Sequence, residues 1–156
     1  MKKAILGILI LLFVSISFCG CTNTEPTGTH GTEEVSFSEN PVLNASENYV
    51  NMFASIMNKG YSIVDKNKVY YTQSKDFSKM YFVGTVVKKG DQLYNAIWAT
   101  NDIDFIGLIF SVNDYALQSS GMGDGRTNKE PITQYDDGYS RINQRLLADM
   151  QKELNQ

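Results

Sequence analysis

Two pairs of carboxylates are the residues best spaced for catalysis. Asp102 and Asp104 lie two apart in "NDID", and Asp136 and Asp137 are adjacent. Such a pair can hydrolyse a glycoside when one carboxyl is buried with a raised pKa and the separation suits the mechanism. Aspartates at turns and helix starts also serve purely local hydrogen bonding, so the bland reading stands beside the catalytic one. In "GMGDGRTN", Gly121 to Asn128, the glycines would let backbone amides cradle a phosphate, but no Lys-Ser/Thr follows them. Asp124 and Asn128 are spaced like calcium-loop ligands, with Arg126 where that pattern needs an oxygen donor. Trp98 and Tyr94 in "QLYNAIWAT" offer ring surface for a sugar or peptide, although Trp98 between Ile97 and Ala99 equally suits a core. The ligand-binding candidates are therefore Trp98, Tyr94, Asp102, Asp104 and Asp124.

Other chemistries lack their groups. His30 is the sole histidine, in a stretch with no hydrophobic period to hold it against a partner. A catalytic imidazole needs fixed hydrogen-bond geometry, so Ser-His-Asp and Cys-His hydrolysis are disfavoured and multi-histidine metal sites are excluded by count. No catalytic residue, cofactor or metal ligand is assigned.

The only cysteines, Cys19 and Cys21, flank Gly20. That spacing strains a disulfide, and a zinc site would need two further ligands. They follow Met1-Lys2-Lys3 and an apolar run from Ala4 to Phe18, the pattern of a secretory signal. Phe18-Cys19-Gly20-Cys21 resembles the lipobox of prokaryotic lipoproteins. The resemblance implies a diacylglyceryl thioether on Cys21, removal of residues 1–20, and a protein held on the outer face of the cell membrane, or of an outer membrane if the host has one. Two acyl chains or more make release negligible. Two alternatives stay open: cleavage after Ser15-Ile16-Ser17 to free a soluble protein, and an uncut anchor. The apolar run spans about 22 Å as a helix, short of the roughly 30 Å bilayer core.

A chain of 156 residues is enough for one domain. Without Lys2 and Lys3, twelve basic residues face seventeen acidic ones, a net charge of −5 against −3 for the whole chain. That balance gives no electrostatic footprint for nucleic acid and no polybasic membrane patch. Residues 21–39 follow as the lipidated cysteine and a spacer rich in Thr, Gly and Glu, which as a coil reaches about 23 Å.

Residues 40–156 read as a single α+β domain: an N-terminal helix, an antiparallel sheet of four to five strands, and a C-terminal amphipathic helix. Asn44 or Ser46 can cap the first helix, with Tyr49, Val50, Phe53, Ile56 and Met57 on its apolar stripe and Gly60 at its end. "YSIV" and "VYYT" flank "DKNK" as a hairpin, and "MYFVGTVV" and "QLYNAIWAT" flank "KKGD" as another. "GLIFSV" adds a strand. The strand from Met80 is apolar on both parities, so both faces of the central sheet should be covered. Asn113 can cap a short helix ended by Gly121, followed by a loop. The last helix starts near Asp136, with Tyr139, Ile142, Leu146, Met150 and Leu154 in register. Asn44-Ala45-Ser46 matches the glycosylation sequon.

From Phe77 to roughly Asp137, "DFSKMYFVGTVV", "NAIWATND" and "GLIFSVNDYALQSS" resemble a group of uncharacterised secreted prokaryotic proteins. The resemblance implies a recurring domain of unknown activity and no site residue. The expectation is a non-enzymatic surface lipoprotein that binds an envelope protein, peptide or glycan. A carboxylate-dependent envelope hydrolase and a structural or assembly lipoprotein are the alternatives, and the two-faced apolar sheet would also allow a homo-oligomer.

Overall fold

The computed structural model describes residues 40–105, 107–133 and 136–155. The expected signal peptide, the expected lipidation site Cys21, the expected spacer and His30 lie outside the described residues. Two nine-residue strands, β4 (Tyr81–Lys89) and β5 (Gln92–Thr100), pair along their whole length across a two-residue turn, Gly90-Asp91. Gly90 has φ +59°, a first-turn-residue value that glycine adopts without a Cβ clash.

Both faces of this hairpin are buried. On one, Phe82, Val86, Ile97 and Ala99 pack against Ile142 and Leu146 of α3 (Asp137–Leu154). A Cβ on Gly84 would sit 2.4 Å from Ile142 Cγ2, so α3 seats where β4 has no side chain. On the other face, Val83, Val87, Ala96 and Trp98 meet Tyr49, Val50 and Phe53 of α1 (Glu47–Ser55) and Ala116 of α2 (Asp114–Ser119). Helices thus sandwich the sheet, and the α+β class holds.

The sheet is larger than expected. It has seven strands in a mixed arrangement, against the four to five antiparallel strands expected. β1 (Leu43–Asn44) pairs with β3 (Tyr70–Gln73), and β7 (Gly123–Asp124) runs parallel to β6 (Ile109–Ser111). Two-residue strands carry no readable alternation. β7 and a 3-10 turn at Gly125–Thr127 occupy the segment expected to be loop.

The hairpin expected around "DKNK" does not form. β2 (Tyr61–Ile63) and β3 both pair antiparallel with β4, as two pieces of one interrupted strand. Residues 64–69 bulge out beside only Thr85 and Val86, through a 3-10 turn at Lys66–Lys68 capped by Asp65, whose carboxylate accepts from Asn67 N at 2.9 Å. Thr85 Oγ1 donates to the Lys68 carbonyl at 3.1 Å and closes the excursion onto β4. Turn-forming residues look alike whether the chain reverses or returns to its line.

The caps follow the expected residues. Ser46 Oγ accepts from Tyr49 N at 3.2 Å, and Asn113 Oδ1 from Ala116 N at 2.9 Å. The helix ends differ. α1 stops at Ser55, and Gly60 (φ +91°) serves the turn before β2 instead. α2 closes at Ser120, whose N–H donates to the Ala116 carbonyl, ahead of Gly121. The α3 stripe is buried at Ile142 and Leu146 and ends before Leu154, which is 72% exposed beyond the sheet. Among the described residues, no helix is long and apolar enough to cross a membrane.

Candidate functional site

Three of the four candidate carboxylates are already engaged locally. Asp102 Oδ1 accepts from the backbone N–H groups of Asp104 (2.9 Å) and Phe105 (3.1 Å), a turn-capping role, and Asp104 points to solvent. Asp136 is buried at the start of α3. Its oxygens accept from Gly138 N (2.6 Å), Ser74 Oγ (2.6 Å) and Asp76 N (3.3 Å). Asp137 is exposed, 3.1 Å from Arg141 Nε.

Asp124 is gripped by Arg126, Nε to Oδ1 and Nη2 to Oδ2, both at 2.8 Å. That fork holds its carboxyl below the ordinary range. Arg126 thus takes up the oxygens a calcium ion would need, and among the described residues no group of three or more His, Cys, Asp or Glu is arranged to hold a metal. Trp98 is fully buried, edge-on to Phe53 at 4.7 Å, with Nε1 donating to Ser120 Oγ at 2.9 Å. Its ring is core, so it presents no surface to a ligand.

A buried carboxylate that the sequence reading overlooked is Asp149. It accepts from Tyr70 Oη at 2.7 Å, with Arg145 Nε and Lys152 Nζ each 3.9 Å away and the Arg145 guanidinium 4.9 Å from the Tyr70 ring centre. Burial, and then the bond to Asp149, push the Tyr70 phenol up. The signal was there: Asp149 falls three residues after Leu146, on the apolar stripe of α3, where a carboxylate must find a partner. The space beside it is about 10 Å³, enough for one water and no substrate. The network pins α3 to β3.

Openings of similar size among the described residues include one of about 450 Å³ between the start of α1 and Lys66-Asn67, one of about 390 Å³ beside Phe77, Phe110 and Lys129, and a cleft of about 430 Å³ between α2 and α3 at the flank of β5. Asn95, Tyr115, Gln118, Arg126, Tyr139 and Asn143 line it, with Asn113 and Asp114. Asn95 Nδ2 donates to Asn143 Oδ1, which leaves the side-chain Oδ1 of Asn95 and the Nδ2 of Asn143 facing the cleft, while the Asn95 backbone carbonyl is occupied. Asn113 is spent on structure: Oδ1 accepts from Ile97 N as well as Ala116 N, and Nδ2 donates to the Asn95 carbonyl. Arg126 bridges Asp124 and Asp114 (2.8 Å), so its cation is neutralised from both sides.

No protein-family model, curated protein or solved structure matches this chain. The chemistry of the cleft must therefore be read from its own groups. They are mainly neutral amides and phenols, beside the ion-paired Arg126 and Asp114. Tyr115 packs at a tilt against Tyr94 (5.1 Å), which leans on Tyr61 (6.5 Å), itself under Lys89 Nζ at 4.8 Å. Tyr94 touches the cleft only through Tyr115, and neither it nor Asp102 or Asp104 is among the lining residues.

One buried phenol sets a pH limit. The Tyr49 hydroxyl is enclosed beside Thr100 and Asp102 without a well-formed hydrogen bond, and burial pushes its pKa up to about 12. Below pH 10 the proton stays on in both folded and unfolded chains. Between pH 10 and 12 only the unfolded chain releases it, so stability falls as pH rises, by up to roughly 3 kcal/mol. Tyr49→Phe should flatten that alkaline limb in urea unfolding from pH 8 to 11.5, leaving the residual slope due to Tyr70. At pH 7 it should cost little, because the hydroxyl it removes has no partner.

Proposed function

We propose that the chain is a lipid-anchored, non-enzymatic surface protein that binds a neutral envelope ligand, a glycan in preference to a charged peptide, in the α2–α3 cleft. The anchor reading rests on the lipobox-like Phe18–Cys21 and the spacer after it. The observation that carries the binding reading is the cleft's composition: amides and two phenol rings around a space whose one cation is cancelled by Asp114 and Asp124. Sugars are recognised by such mixed donors and acceptors, with ring faces against their apolar side. An anionic ligand would meet uncompensated carboxylate charge here. The hydrolase alternative draws no support from Asp102, whose Oδ1 caps its own turn, or from Asp136, whose oxygens are committed to backbone and serine donors.

Calorimetric titration with neutral N-acetylhexosamine oligomers tests this. Removing one hydrogen-bonding side chain from the cleft, by Asn143→Ala or Tyr115→Ala, should weaken binding about tenfold, the worth of roughly 1.4 kcal/mol. Both side chains are partly or largely exposed, so the fold should survive. Wild-type affinity in both variants, or binding only to anionic polymers, would remove the cleft from the account.

A further inference from the structure

The described domain begins at Asn40, which docks at one end of the sheet. Its Nδ2 donates to the Gln73 carbonyl at 3.5 Å, and its carbonyl accepts from Thr72 Oγ1 at 3.1 Å and from Arg141. Gln73 stands opposite Tyr81, and Tyr81 opposite Thr100. The loop that leaves β5 after Thr100 therefore emerges at this same end, two strand spacings or about 10 Å from Gln73.

That loop exposes two large apolar side chains, Phe105 at 70% and Leu108 at 63%. They are held out by a built turn. The Asp102 carboxylate accepts the Phe105 N–H, and Asn101 Oδ1 accepts the Leu108 N–H at 2.8 Å. The nearby charges are mixed, with Lys75 and Lys79 in the adjoining β3–β4 loop against Asp76, Asp102 and Asp104. Such a surface has no basic excess to draw anionic lipid, so its attraction is apolar.

We propose that Phe105 and Leu108 insert into the headgroup region of the bilayer to which Cys21 ties the chain. The inference rests on the lipid-anchor reading and adds a second attachment at the end where the tether joins. It also orients the domain. Asn95 lies five residues back along β5 from Thr100, about 17 Å toward the opposite end, so the cleft is carried away from the lipid.

The test places Phe105→Trp in the full chain on phosphatidylcholine vesicles with brominated acyl chains. The new indole should shift to the blue and lose emission relative to plain vesicles, while Trp98, buried in the core, supplies a constant background. Leu108→Asp in the same chain should restore the emission. A chain that floats with the vesicles while its emission is unchanged overturns the loop contact, and a dimer seen in its place assigns the patch to a second copy. A parallel arm holds residues 21–156 on nickel-chelating lipid through an amino-terminal hexahistidine. Quenching there, with native Cys21 unmodified by mass spectrometry, supports the loop contact and sinks the natural anchor. Absence of quenching there overturns the contact whatever the anchor.

Discussion

Replacing Trp98 with alanine should cost about 3–5 kcal/mol, the largest loss expected from any single change in this domain. Trp98 is fully buried and joins three elements. Its ring meets Phe53 of α1 edge-on, its indole N–H reaches Ser120 at the end of α2, and its backbone lies between Val83 of β4 and Ser111 of β6. Truncation opens a cavity between rigid neighbours that cannot collapse into it. Since a domain of this size is stable by only about 5–15 kcal/mol, a large unfolded fraction should appear at growth temperature. Trp98→Phe separates volume from polarity. It keeps most of the ring but leaves Ser120 Oγ without its donor, and should cost about 1–2 kcal/mol. Urea unfolding followed by circular dichroism measures both. Equal costs for the two variants would mean that the indole hydrogen bond, rather than the filled volume, holds the α1–β5–α2 junction.

Asp136→Ala should follow at about 3 kcal/mol, combining a lost helix cap with buried donors left unpaired. The carboxylate serves two elements at once. Oδ1 receives the Gly138 N–H in the first turn of α3, while Oδ2 receives Ser74 Oγ and Asp76 N in the loop after β3. Ser74 in turn accepts from Phe77 N at 3.0 Å, so the loop depends on the same carboxylate. Asp136→Asn restores one acceptor oxygen and turns an amide group toward the remaining donors, and should recover less than half of the loss. Hydrogen exchange at Asp76 and Gly138 gives an independent readout. If only Gly138 exchanges faster in the alanine variant, Asp136 is a simple cap and the loop holds itself.

The helices were legible because each carries both a period and a cap. Ser46, Asn113 and Asp136 all cap where their side chains allow, and the apolar stripes of α1 and α3 face the sheet. The covered hairpin was legible too, since β4 is apolar on both parities. Partner choice was not. Alternation in residues 61–72 marks strand character, but nothing local distinguishes pairing with each other from pairing in tandem with β4. The cleft was less legible still. Tyr94 was singled out, but Asn95, Gln118 and Asn143 come from three elements brought together only by tertiary packing. The aspartates drew attention for their spacing, and geometry put them to use as caps.

The interrupted strand has a consequence for life at high local density. Wherever copies of a chain are concentrated, exposed strand edges invite them to stack. Here the flanking strands β1, β2 and β7 have two, three and two residues, and the excursion at 64–69 breaks the line between β2 and β3. Such ragged margins offer too few consecutive amides to template an incoming strand. Copies at high concentration should therefore resist fibril growth, and any assembly they form must use side-chain surfaces.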